Sequence, residues 1–83
     1  MRNLHSNLNF EILRIRVKKE DSAFVYAVLE ASEGIASYST VDYQPGTWFR
    51  DLELQIPPGL RQEVDATLRS LEESLLSPIL ILS

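Results

Sequence analysis

Between Phe10 and Lys18 the chain reads FEILRIRVK, and apolar and polar positions alternate with a period of two. Leu13, Ile15 and Val17 fall on one side; Arg14, Arg16 and Lys18 fall on the other, with Phe10 and Ile12 at its start. That alternation predicts a first strand with one face toward a core. From Ala23 to Ile35 the period changes. Phe24, Val28, Ala31 and Ile35 recur at i, i+4, i+7 and i+11, Val25 and Leu29 widen the stripe, and Tyr26, Glu30 and Glu33 fall opposite. The spacing predicts a helix over Ser22–Glu33, capped by Asp21 or Ser22 and ended by Gly34 in a left-handed conformation.

Ile35 to Tyr43 is rich in β-branched and aromatic residues and predicts a second strand. Gln44-Pro45-Gly46-Thr47 has the residues of a type II turn, which suits a loop longer than a two-residue hairpin. Trp48 to Ile56 predicts a third strand, with Leu52, Leu54 and Ile56 on one face and Phe49, Asp51, Glu53 and Gln55 on the other. Pro57-Pro58-Gly59 ends it, because a proline cannot donate to a ladder. Leu60, Val64, Leu68, Leu71 and Leu75 then form the most regular helical stripe in the chain, predicting a second helix over Gly59–Leu75. On its solvent side Arg61–Asp65 and Arg69–Glu73 are spaced i, i+4 for ion pairs. After Ser77-Pro78, Ile79 to Leu82 predicts a short fourth strand.

The order β-α-β-β-α-β predicts an α+β, ferredoxin-like sandwich, with a four-stranded antiparallel sheet and both helices on one face. Its usual strand order, 4-1-3-2, makes strands one and three antiparallel neighbours. Arg14, Arg16 and Lys18 then face Asp51 and Glu53, and opposite charges across neighbouring strands attract. The expected core is Leu13, Ile15, Val17, Phe24, Val28, Leu52, Leu54, Val64, Leu68 and Leu71. Residues 8–83 form the single domain, and residues 1–7 read as a frayed tail that carries His5, the only histidine.

Composition narrows the function. A formal net charge of −4 and a pI near 4.8 oppose general binding to nucleic acid or to anionic membranes. The absence of cysteine excludes disulfides and thiol chemistry. No apolar stretch reaches membrane-spanning length, and the default expectation is a cytoplasmic domain. Strand three, GTWFRDLEL, carries acids where the RNA-recognition motif has stacking aromatics. The glycine-rich phosphate loop of acylphosphatases is replaced by VKKEDS. No nucleophile, base and oxyanion donor stand together in a pattern that would mark a catalyst, so no enzyme activity, cofactor or metal is expected.

The run LEASEGIASYSTVD, followed by LQIPPG and EVDATLRSL, resembles a family of short, uncharacterised bacterial domains catalogued only as a domain of unknown function. The resemblance spans Arg14 to Leu71. It is carried by Glu30, Ala31, Glu33, Gly34, Ile35, Ala36, Val41, Asp42, Ile56, Pro57, Pro58 and Val64. More loosely the layout is similar to ACT domains, regulatory modules that dimerise and often bind amino acids near the loop after strand one. That similarity implies a small-molecule or anion site at Lys18, Lys19 and Ser22, close to a helix N-terminus. Glu20 and Asp21 in the same loop oppose an anion.

Apolar groups left uncovered point to self-association. Helices shield one sheet face, yet Phe10 and Ile12 point to the other. Strand four is apolar throughout, so two of its side chains, Leu80 and Leu82, join them and Phe49 extends the patch. Such patches mark interfaces, and an apolar edge strand needs cover. The expectation is a regulatory or protein-interaction module that works as a homodimer, through the open face or the strand-four edge. Cover by residues 1–9 is the competing arrangement.

Overall fold

The computed structural model describes residues 10–32, 36–41 and 45–82. The tail with His5, the Gly34 helix stop, the outer ends of strand two and Gln44 lie outside the described residues. The elements run β1 (Glu11–Lys18), α1 (Ser22–Ala31), β2 (Ser37–Val41), β3 (Phe49–Ile56), α2 (Arg61–Leu75) and β4 (Leu80–Ile81). The protein is α+β: one four-stranded antiparallel sheet, hydrogen-bonded in the order β2-β3-β1-β4, and two helices. As the charge pattern requires, β1 and β3 are antiparallel neighbours over their whole length.

One continuous core unites the inward side chains of β1 (Leu13, Ile15, Val17) and β3 (Leu52, Leu54, Ile56) with α1, α2 and Ile79. From α2 come Val64, Leu68 and Leu71, the centre of the regular stripe; Leu60 and Leu75 at its ends are partly buried. The sheet therefore has one sealed face and one open face.

Helix α1 sits in a different phase from the expected one. Val25 and Leu29 are buried, Val28 is only partly buried, and Phe24 is 47% exposed. All four are apolar, so periodicity alone allows either stripe; the neighbouring strand decides. Tyr38 on β2 stacks on Tyr26, with ring centroids 5.2 Å apart and planes within 4°. Its hydroxyl donates to Glu30 at 2.8 Å. Tyr26 and Glu30 thus meet β2 rather than turning away from the protein, and the rotation that brings them there swings Phe24 to the flank facing α2.

The helix starts also differ. A 3-10 turn, Lys19–Asp21, leads directly into α1. Asp21 makes no capping bond, and the Ser22 hydroxyl donates to the Lys19 carbonyl at 2.8 Å instead of accepting from the helix. Helix α2 begins later than Gly59 because residues 57–60 form a turn: the Leu60 amide donates to the Pro57 carbonyl at 3.2 Å, and Gly59 has φ +82°. These are the features of a type II turn. Gly46, also at positive φ, lies in the long connection between β2 and β3, as its sequence suggests. Arg61 closes its i, i+4 pair with Asp65 at 2.8 Å and also reaches Glu11, tying α2 to the start of β1. Both acids raise the Arg61 pKa, the hydrogen bond from Asp65 most of all, against the lowering effect of burial. Among the described ion pairs, Arg69–Glu73 is not closed.

Candidate interaction surface

Strand register lays the open face out in rows. Ser37, Gln55 and Ile12 form one row, and Ser39, Glu53 and Arg14 the next. Val41, Asp51, Arg16 and Leu80 form a third, and Phe49 with Lys18 closes the face. Read across the strands, the face passes from Ser37, Ser39 and Val41 on β2, through Glu53 and Asp51 on β3 and Arg14 and Arg16 on β1, to Leu80 on β4.

The two central columns neutralise each other. The Arg16 guanidinium donates to both carboxylate oxygens of Asp51, at 2.7 and 3.0 Å. Such paired contacts are the strongest kind of arginine–carboxylate bond. Hydrogen bonding to Asp51 raises the Arg16 pKa, against the lowering effect of burial. Arg14 reaches Glu53 at 3.3 Å. Arg16 also lies over the ring of Phe49, 3.9 Å from its centroid. Phe49 meets Trp48 edge-on at 5.2 Å, so it is largely engaged within the chain and contributes little free surface.

The apolar side of the face lies along β4. Ile12 and Leu80 are each 47% exposed and Leu82 is 42% exposed; Phe10 is partly buried. The Leu82 amide donates to the Arg14 carbonyl at 2.8 Å, which places Leu82 beside the middle of β1. Ile79, immediately before β4, turns inward to the core. Ile81 pairs with Ile15 on the covered side but stays exposed at the sheet edge.

That edge is not free to pair along its length. The Ile79 amide, of the same parity as Ile81, donates to the Glu72 carboxylate at 2.7 Å. Beside it α2 ends with Leu76 in the left-handed conformation (φ 53°, ψ 40°), its amide bonded to the Glu72 carbonyl.

Hollows lie at the end of β1, between the helices, and as a shallow trough lined by Arg69, Glu72, Glu73, Leu76, Ser77 and Pro78. A dimple of about 140 Å³ at the end of β1 is lined by Arg16, Val17, Lys18, Trp48, Ser77, Pro78 and Leu80. A groove of about 220 Å³ runs between the helices. There Phe24 and Val28 face Thr67, Ser70 and Ser74, side chains too small to fill the gap. Lys18, Lys19 and Ser22, the candidate ligand residues, are divided: Lys18 joins the dimple, Lys19 opens the 3-10 turn, and Ser22 is the first residue of α1. The Lys19 amide is taken by the Trp48 carbonyl at 2.8 Å. Among the described residues no group of three or more metal-ligating side chains is gathered, and no helix is long and apolar enough to cross a membrane.

Trp48, Pro78 and Leu76 are absent from the sequence-based candidates. Trp48 reads there as the first strand residue, and nothing in a periodic pattern marks a residue that stands out of the strand. The signal for Leu76 is indirect: Pro78 must stop α2, yet no glycine precedes it to take the left-handed cap.

An α+β domain with one sealed and one partly apolar open face is the class these observations define. The chain belongs to the family described as Domain of unknown function (DUF4911), whose model matches residues 15–74. No curated protein and no solved structure gives a significant match.

Proposed function

We propose that the chain is a non-catalytic regulatory or protein-interaction module of ferredoxin-like fold that works as a homodimer. The strand order read from the β4 edge, 4-1-3-2, supports the fold class. The observation that carries the function is the exposure of Ile12, Leu80 and Leu82 together on the β4 side of an otherwise charge-paired face. The central ladder has its own counter-charges and offers little to a strongly acidic or basic partner. What remains to be covered is the apolar corner, and a two-fold axis covers it with the same corner of a second copy. The non-catalytic reading draws on what the acids do: Asp51 and Glu53 hold arginines, Glu30 holds Tyr38, and Glu72 holds the Ile79 amide. Each has a structural task.

Sedimentation of the wild type beside Ile12→Asp with Leu80→Asp tests the reading. The wild type is expected as a dimer at tens of micromolar, and the double variant as a folded monomer with an unchanged circular dichroism spectrum. A monomeric wild type overturns it. If removal of residues 1–9 then produces a dimer, the corner belongs to the chain's own N-terminus.

A further inference from the structure

The residue least explained by the fold is Leu76. It closes α2 in the left-handed region, where an L side chain crowds the following carbonyl and which glycine enters freely. Its side chain is also 91% exposed. Glycine would relieve both penalties, so the leucine is costly to this chain taken alone. Strained, outward-facing residues of this kind belong with contacts made outside the chain.

The dimple lies next to it. Ser77 and Pro78 line both the dimple and the shallow trough that Leu76 borders, so projection and hollow share a wall. At about 140 Å³ the dimple is well below the roughly 300–1,000 Å³ of small-molecule pockets and suits a single aliphatic side chain. Val17, Trp48, Pro78 and Leu80 give its lining a largely apolar surface, and Arg16, Lys18 and Ser77 complete it. A projection beside a hollow is what a two-fold contact needs, since each copy both inserts and receives. Pairing of β4 edges is a poorer route, because Glu72 already occupies the Ile79 amide.

We propose that Leu76 anchors self-association, seating in the dimple formed by Trp48, Pro78 and Leu80 of a second copy, while its own dimple receives that copy's leucine. The inference rests on the homodimer reading and assigns its centre. The chain has no cysteine, so introduced cysteines report contacts cleanly. Leu76→Cys mixed with Lys18→Cys under mild oxidation is expected to give a mixed disulfide dimer faster than either variant alone. Leu76→Gly is expected to weaken dimerisation about tenfold or more. At concentrations where only monomer is present, the same variant should melt a few degrees higher than the wild type. Trp48→Ala should weaken dimerisation without that rise. A dimeric wild type whose Leu76→Gly variant associates equally well, with no preferential mixed disulfide, overturns the seat and leaves the homodimer standing. A monomeric wild type removes both.

Discussion

The two faces of the sheet are made from the same two central strands and differ in what they meet. On the sealed face, Leu13, Ile15, Val17, Leu52, Leu54 and Ile56 are all buried beneath the helices. On the open face, alternate residues of the same strands pair charge with charge, and the apolar groups lie around them: Ile12 and Phe49 at the two ends, Val41 on β2 and Leu80 on β4. The sealed face holds the fold together, because burial of apolar area is the dominant favourable term. The open face is satisfied in its centre by its own ion pairs, and its exposed apolar groups among the described residues include Ile12, Leu80 and Leu82. A sheet used for RNA or for broad stacking would place the uncovered groups at the centre. Here they sit at the side, where a second copy can cover them without breaking the ladder.

Truncation separates the faces most sharply. Leu54→Ala, in the sealed face, is expected to cost about 2–5 kcal/mol in urea unfolding, a large share of the stability of so small a domain. Leu80→Ala, on the open face, should leave the monomer within about 0.5 kcal/mol of wild type while weakening association. Equal losses at the two positions would erase the distinction.

A smaller effect is expected at the turn that delivers β3 into α2. Gly59 has φ +82° and no atom within 4 Å of an added Cβ. Gly59→Ala therefore probes backbone conformation without a clash and should cost about 1–2 kcal/mol. A neutral result would show that the turn readily adopts another conformation.

The ladder is sharpened by charge reversal. Arg16→Glu should destabilise the fold, and adding Asp51→Lys should restore part of the loss. Coupling near zero in the double-mutant cycle would mean that the paired contact contributes nothing in solution.

The smallest effect is at Tyr38, at the edge of the sealed face. The hydrogen bond to Glu30 raises its phenol pKa above the ordinary value, with burial and the charges acting in the same direction. Because the folded pKa is the higher one, the stability from this bond is fully present below the ordinary phenol pKa. It is lost as pH rises through the folded value. An ultraviolet pH titration should show a late-ionising tyrosine that disappears in Tyr38→Phe.

Much of this arrangement is legible in the residues. Strict alternation in β1 and β3 separates the faces, and Arg14 and Arg16 against Glu53 and Asp51 reveals which strands are neighbours. The leucine stripe of α2 leaves one choice of buried face. Helix α1 does not, because Phe24, Val25, Val28 and Leu29 make two adjacent apolar stripes and a tertiary contact, Tyr26 on Tyr38, selects between them. Ser22 has the composition of a cap but stands after a 3-10 turn, where its hydroxyl finds a carbonyl first. The exposed corner is readable in part: Ile12, Leu80 and Leu82 follow from alternation. Trp48 and the left-handed Leu76 do not, since neither an irregular loop position nor a positive φ leaves a periodic trace.

The central claim is that one side of one face is an interface and the other face is a core. Methyl NMR of the wild type across a dilution series tests it most directly. Concentration-dependent shifts are expected at Ile12, Leu80 and Leu82, with Leu13, Leu52 and Leu54 unmoved. Spectra that do not change with concentration at any methyl, with the mass of a monomer throughout, would contradict it.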